Sequence, residues 1–247
     1  MKTIRIITII AAGILTISCS KINQKNVKVI KSTTEALSID SRYEPGDSAM
    51  TAFIEPYKQD MEVEMNKVIG YSAQYLYKER PESPLTNWAS DVLLRAGEVF
   101  LGVPMDMAVC NIGGLRCDIP EGEITVGTIF RLMPFDNTLA VVKLNGKQIV
   151  ELCNDIAAQG GQGVAGARFT IRNGKAEDIT LCGKNVEPEK EYYVCTSNYL
   201  AEGNDHIYTL AKGEISDSGW PLRDVYLGTV QKDSLIVAQK DGRIVIK

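Results

Sequence analysis

Apolar residues recur along the chain with two different periods, which predict helices mixed with short strands. The most regular helical stripe covers 85–101, where apolar side chains return every three or four residues. A second helix is predicted over 47–68, with Pro56 expected to interrupt it. A nearly continuous apolar run at 105–110 is typical of a buried strand. Because helices and strands intermix, the predicted class is α/β or α+β.

Shorter patterns complete this outline. Strands are predicted at 26–30, 69–77, 139–144, 167–172, 178–182, 191–197 and 242–246. A short helix or turn is predicted at 124–132, a helix at 148–158, and a helix near the centre of 224–238. The pair Asn145-Gly146 predicts a tight turn, and the run Gln-Gly-Gly-Gln-Gly at 159–163 predicts a flexible loop.

The first residues have the pattern of an export signal. Lys2 and Arg5 precede an apolar run at 6–17, and Ser18 and Cys19 follow. The run is short for a transmembrane helix. It resembles a bacterial lipoprotein signal with Cys19 as the lipidated residue; the alternative is an ordinary signal peptide with a chance cysteine.

These signals divide the chain into a leader at 1–18, a polar tether at 19–30 and one domain at 31–247. The protein is then expected to be exported and lipid-anchored to a bacterial membrane. The absence of an acidic run after Cys19 favours the periplasmic face.

Composition narrows the function classes. The chain is 45% hydrophobic with a net charge of −4, which argues against disorder and against a nucleic-acid partner. Its single histidine, His206, cannot build a two-metal phosphatase centre. No catalytic residue, metal ligand or cofactor is therefore predicted in this chain.

Five cysteines lie beyond Cys19, and an odd number cannot pair completely. Their neighbours are mostly apolar, so buried free thiols are the default expectation. Cys110 and Cys117 flank one polar segment and are the pair that could form a disulfide. No spacing typical of a zinc or redox site is present.

One polar segment, 111–116, follows the apolar run at 105–110. Gly113 and Gly114 would let the chain turn with positive φ and bring a ligand close to the backbone. Arg116 could fork onto phosphate or carboxylate oxygens, and Asn111 could both donate and accept. The alternative is a plain turn with a surface arginine.

Two further segments carry an aromatic residue on a loop. Phe135 precedes the polar Asp136-Asn137 pair, and an exposed ring there could stack on a base. Tyr199 precedes a loop that contains Gly203 and Asp205, whose carboxylate could accept from two ribose hydroxyls. The alternatives are a core phenylalanine and a buried tyrosine beside an aspartate cap.

The three segments together resemble the C-terminal, substrate-binding domain of the bacterial and animal 5′-nucleotidases. The family pattern Asn-Gly-Gly-x-x-Arg corresponds to 111–116, with Ile112 in place of a glycine. The pattern Asn-Phe-Leu-Ala-x-Gly-Gly-Asp corresponds to 198–205, with Tyr199 for phenylalanine and Asn204 for the second glycine. The similarity covers about 76–215 and includes an upstream helix at 82–91, in which Glu, Asn and Asp recur.

The resemblance implies a four-layer α/β/β/α fold with mixed β-sheets. It implies that Phe135 and Tyr199 sandwich the base, that Asn111 and Arg116 lie near phosphate and ribose, and that Asp205 holds the ribose hydroxyls. The implied substrate-binding set is Asn111, Gly113, Gly114, Arg116, Phe135, Asn137, Tyr199, Gly203 and Asp205, with Arg80 as a possible member.

In that family the metals and the catalytic Asp-His pair lie in a separate N-terminal phosphoesterase domain. Only about 60 residues separate the predicted leader from the resembling domain, too few for such a domain. The expected partners are therefore a nucleoside or nucleoside monophosphate, a separate metallophosphoesterase chain that carries divalent metals, and a membrane through the lipid. The alternatives are a stand-alone nucleoside-binding lipoprotein and an interaction lipoprotein whose groove no longer binds.

Overall fold

The computed structural model describes residues 31–34, 36 and 47–247. The predicted leader, Cys19, the tether and the strand at 26–30 lie outside the described residues. The chain divides into one unit of residues 1–51 and a second of residues 52–247, and the fold is that of the second unit. None of the helices in the described part combines the length and apolar character that a membrane span requires.

Six α-helices and one short 3₁₀ helix lie in the described residues. The helices are α1 (Ser48–Met65), α2 (Pro84–Leu101), α3 (Val126–Leu132), α4 (Gly146–Ala158), α5 (Asn198–Ala201) and α6 (Leu222–Asp233), with the 3₁₀ helix at Leu210–Lys212.

The expected interruption of α1 is wrong, because the helix continues through Pro56. The expected turn at Asn145-Gly146 is also wrong. Asn145 instead caps α4 by accepting from the Gln148 backbone N–H at 2.9 Å.

Twelve strands lie in the same residues. They are β1 (Val68–Ser72), β2 (Met107–Cys110), β3 (Gly122–Thr125), β4 (Thr138–Asn145), β5 (Gly163–Ala165), β6 (Ala167–Arg172), β7 (Lys175–Leu181), β8 (Lys184–Asn185), β9 (Glu191–Ser197), β10 (Glu214–Pro221), β11 (Leu235–Ile236) and β12 (Ile244–Ile246). β6 and β9 have the predicted bounds. β10 is missed by the sequence analysis, because its mixed burial gives no clean alternation.

The strands form three sheets. The largest has the order β10-β4-β9-β2-β5 and mixes directions: β2 runs parallel to β9, and β4 runs antiparallel to it. The two smaller sheets have the orders β11-β1-β3 and β12-β6-β7-β8. This mixture of helices and mixed sheets confirms the predicted α/β class.

The five-stranded sheet separates two hydrophobic cores. Alternate residues of a strand point to opposite faces, so Leu139 and Val141 of β4 enter one core while Ala140 and Val142 enter the other. Helices α2 and α6 contribute to the first core and α4 to the second. The inner strands β2, β4 and β9 are mostly buried, whereas the edge strand β10 is largely exposed.

Candidate functional site

The three predicted segments meet at one end of the strands of the five-stranded sheet. The 111–116 segment leaves the end of β2, and Tyr199 lies in α5 directly after β9. Phe135 and Asn137 come just before β4, whose first residues pair with the last residues of β9 through the Leu139–Ser197 register. Because β2 is parallel to β9 and β4 is antiparallel to it, all three segments lie at the same end of these strands.

A cavity of about 300 Å³ opens between these segments. Its lining consists of Asn111, Gly113, Gly114, Arg116, Phe135, Asn137, Tyr199 and Asp205. Eight of the nine predicted substrate-binding residues thus surround a single space. Gly203 and Arg80 do not line it.

Asp205 is the centre of the hydrogen bonding in this cavity. Its Oδ2 accepts from Asn111 Nδ2 at 2.7 Å, and its Oδ1 accepts from the Tyr199 hydroxyl at 2.9 Å. The second bond raises the pKa of the Tyr199 phenol above its usual value. The carboxylate is held by one donor on each oxygen, which leaves further lone pairs available to a ligand.

Both aromatic rings of the cavity are accessible. Phe135 is 39% exposed and Tyr199 is 36% exposed, which removes the alternatives of a core phenylalanine and a buried tyrosine. The Arg116 guanidinium carbon lies 5.7 Å from the centre of the Phe135 ring, and Arg116 Nη1 donates to the Gly113 carbonyl at 3.3 Å. The arginine therefore shares one wall of the cavity with a stacking face.

The Gly113-Gly114 pair allows close packing at Gly114 and does not provide the expected backbone turn. Neither glycine has a positive φ, so that part of the expectation is wrong. A Cβ on Gly114 would lie 2.7 Å from Asn111 Oδ1, whereas a Cβ on Gly113 would meet only Asp205 Oδ2, at 3.9 Å. The missing side chain at Gly114 gives the buried Asn111 the room to reach Asp205.

The remaining two predicted residues, Gly203 and Arg80, have contacts outside the cavity lining. Gly203 has a φ of 85° in the loop before Asp205, a backbone conformation that glycine adopts most readily. Arg80 Nη1 donates to the carbonyls of Gln159, at 2.8 Å, and Gly161. Desolvation lowers the pKa of the Arg80 guanidinium, and the nearby Asp205 carboxylate opposes that shift.

Two glutamines beside the site were not predicted from the sequence. Gln162, only 3% exposed, accepts from the Ile112 backbone N–H at 2.8 Å, and Gln159 Nε2 donates to the Asp205 carbonyl. Their glycine-rich surroundings predicted flexibility. The available signal was the presence of two amide side chains among those glycines.

The upstream helix motif holds the C-terminal segment of the chain. Glu82, 4% exposed, accepts through Oε1 from Asn87 Nδ2 at 2.7 Å and from the backbone N–H groups of Asp241 and Gly242 at 2.7 and 3.2 Å. The Asp91 carboxylate accepts two bonds from the Arg243 guanidinium, at 2.6 and 2.8 Å. These carboxylates are occupied by structural bonds.

The described residues contain no group of three His, Cys, Asp or Glu side chains close enough to share a metal ion. His206 is exposed, and its Nδ1 lies 2.8 Å from the Tyr208 hydroxyl.

The five described cysteines are free thiols, so the possible Cys110–Cys117 disulfide is wrong. Burial raises the pKa of Cys110 to about 11 and the pKa values of Cys153 and Cys195 to about 12. These three thiols are accordingly unreactive at neutral pH.

The mixed α/β fold matches that of the 5′-nucleotidase C-terminal domain, and comparison with known proteins agrees. The family model described as 5′-nucleotidase, C-terminal domain, matches residues 67–212, and the chain belongs to this family.

Several relatives extend this similarity. The chain is 30% identical over 243 residues to the trifunctional nucleotide phosphoesterase protein YfkN of Bacillus subtilis (strain 168), covering 88% of this chain and 16% of YfkN. It is 25% identical to the 5′-nucleotidase of Vibrio vulnificus (strain CMCP6), covering 92% of this chain and 42% of that protein.

A solved structure shows the same fold. The crystal structure of a 5′-nucleotidase precursor from Thermus thermophilus superposes with a TM-score of 0.71 at 27% identity, covering 82% of this chain and 44% of that one. The chain therefore spans less than half the length of each of these relatives.

Proposed function

We propose that this chain is the nucleotide-binding half of a 5′-nucleotidase. The observation that carries the proposal is the single cavity in which two accessible aromatic rings, one aspartate and one arginine converge. An aromatic face for a base, a carboxylate for vicinal hydroxyls and a guanidinium for a phosphate are the three chemistries that a nucleoside monophosphate requires.

Each part of the ligand has a corresponding group. The base stacks on Phe135 and Tyr199, and the ribose hydroxyls donate to Asp205. The phosphate lies towards Arg116, with Asn111 donating to ribose or phosphate oxygens. Asp205 and Arg116 both line the cavity, which therefore carries one negative and one positive group for these two parts of the ligand.

The hydrolytic step is assigned to a separate metallophosphoesterase chain, which would supply the divalent metals and the attacking water. This chain would hold the nucleoside while the partner cleaves the phosphate. Export and lipid anchoring through Cys19 would place the pair outside the cytoplasm. The leader sequence at 1–18 supports this location.

Calorimetric titration with adenosine and with AMP, without metal, tests the binding part. The Phe135→Ala variant is expected to bind about 5- to 150-fold more weakly, because stacking on one aromatic ring contributes about 1–3 kcal/mol. Phe53→Ala is the matched control, since Phe53 is 66% exposed on α1 and lies outside the cavity lining.

A second assay tests the partner. Adding a metallophosphoesterase chain is expected to produce AMP hydrolysis that depends on Phe135. Binding without any gain in hydrolysis would instead support a stand-alone nucleoside-binding lipoprotein. If neither adenosine nor AMP binds, the proposal is refuted in favour of an interaction lipoprotein.

A further inference from the structure

The segment 159–162, which we call the brace, is a tightly bonded connection between α4 and β5. The Gly160 and Gly161 backbone N–H groups donate to the carbonyls of Ala157 and Ile156 at 2.9 and 3.0 Å. Gly161 has a φ of 111°, and a Cβ there would lie 2.5 Å from the Pro81 carbonyl oxygen. The brace is therefore packed directly against the chain that leads into α2.

The two glutamines of the brace bond to different loops of the site. The carboxamide oxygen of Gln162 accepts from the Ile112 backbone N–H at 2.8 Å, directly after Asn111. The amide nitrogen of Gln159 donates to the backbone carbonyl of Asp205. The Ile112 turn leaves β2, and the Asp205 loop follows α5, which comes directly after β9. The short brace is bonded to both.

The backbone of the brace also holds a cation near the site. The carbonyls of Gln159 and Gly161 both accept from Arg80 Nη1, and Asp205 lies within electrostatic range of that guanidinium. The Ile112 turn, the Asp205 loop and the Arg80 side chain are thus all bonded to the brace. Neither glutamine lines the cavity itself.

We propose that Gln162 and Gln159 are positioning residues, which hold the Asn111 turn and Asp205 at the separation that the nucleoside site requires. The 2.7 Å bond from Asn111 Nδ2 to Asp205 Oδ2 is the direct result of that separation. The consequence for nucleoside binding rests on the proposed function, whereas the positioning of Asn111 does not.

A glutamine elsewhere in the chain provides a matched control. Gln148 accepts through Oε1 from the Asn145 backbone N–H at 2.8 Å, the same kind of bond at the same distance, at the start of α4. Gln148 is half-buried and lies outside the cavity lining. Replacing it removes a comparable structural bond without touching either site loop.

The binding test compares Gln162→Met, Gln159→Met and Gln148→Met in the full chain. Methionine keeps the side-chain length but removes the strong donor and acceptor. Adenosine affinity is expected to fall about tenfold in Gln162→Met and in Gln159→Met, and by less than about twofold in Gln148→Met. In an Asn111→Ala background, Gln162→Met is expected to cost less than about twofold, because the residue that it positions is gone.

The positioning itself is read without ligand from the Asn111 side-chain amide resonance in the ¹H–¹⁵N spectrum. The resonance is expected to move in Gln162→Met and to stay in place in Gln148→Met. If the wild-type chain binds no adenosine, the proposed function fails. The Asn111 resonance then tests by itself whether the brace positions Asn111. An unmoved resonance in Gln162→Met, or an equal loss of affinity in Gln148→Met, would overturn the positioning role.

Discussion

Adding one methyl group at Gly114 should displace the Asn111 side chain, whereas the same change at Gly113 should leave that side chain in place. The Cβ of Gly114→Ala would lie 2.7 Å from Asn111 Oδ1 and 3.3 Å from its Nδ2. Asn111 is only 8% exposed, so its side chain can relieve this clash only by leaving Asp205. The Cβ of Gly113→Ala has one neighbour within 4 Å, at the ordinary contact distance of 3.9 Å.

The size of the effect follows from the bond that is lost. A hydrogen bond to a charged group contributes about 1.5–3 kcal/mol, and each 1.4 kcal/mol is a factor of ten in affinity. If Asn111 has to be in place for the nucleoside, Gly114→Ala should weaken adenosine binding about 10- to 100-fold. Gly113→Ala should keep the bond from Asn111 to Asp205, because its Cβ would meet no atom of Asn111 within 4 Å and neither glycine has a positive φ.

Calorimetry with adenosine and urea unfolding of both variants are the measurements. Gly114→Ala should also lower the free energy of unfolding by about 1–3 kcal/mol, as overpacking does. A free energy of unfolding in Gly114→Ala equal to that of the wild type would refute this account of the Asn111 turn. So would a Gly114→Ala structure in which Asn111 still donates to Asp205.

Three other predictions concern the second aromatic ring, the C-terminal segment and alkaline pH. Tyr199→Phe keeps the stacking ring and removes one donor to Asp205, so calorimetry should show adenosine affinity within about threefold of wild type, while Tyr199→Ala should lose about 1–3 kcal/mol. Glu82→Gln should lower the free energy of unfolding in urea by about 1–3 kcal/mol and leave adenosine affinity unchanged, because its carboxylate holds the backbone at Asp241. Burial raises the pKa of Cys153 from 9.0 to about 12, so above pH 9 the unfolded chain loses this proton first. The stability present below pH 9 should then fall by up to about 1.4 kcal/mol per pH unit, and thermal melts of Cys153→Ala should show a shallower decline.

The residues that line the cavity could be predicted because three short segments in fixed order resemble the 5′-nucleotidase C-terminal domain, whereas the local signals alone left a plain turn, a core phenylalanine and a buried tyrosine open. Asn111, Phe135 and Tyr199 each stand in a short polar segment beside an apolar strand, and the strand pattern shows where each segment begins. The role of Gly114 could not be predicted in detail. Its close approach to Asn111 depends on how a side chain packs back over its own turn.

The brace is a segment for which prediction from neighbouring residues fails. A run of glycines predicts freedom, and it becomes an ordered connection only because Pro81, Ile112 and Asp205 are brought against it. Those contacts join residues 50 and 46 positions apart for Ile112–Gln162 and Gln159–Asp205. Composition alone carries no information about such partners.

The sequence by itself determined most of the helices and the longer strands other than β10, since the period of apolar residues is a property of neighbouring positions. The bounds of β6 and β9, the stripe of α2 and the polar turn after β2 all follow from that period. Only the tertiary structure decided that three turns share one cavity and that Asn111 reaches Asp205, 94 residues away. Strand order and direction set those distances, and they result from burying both faces of the sheet at once.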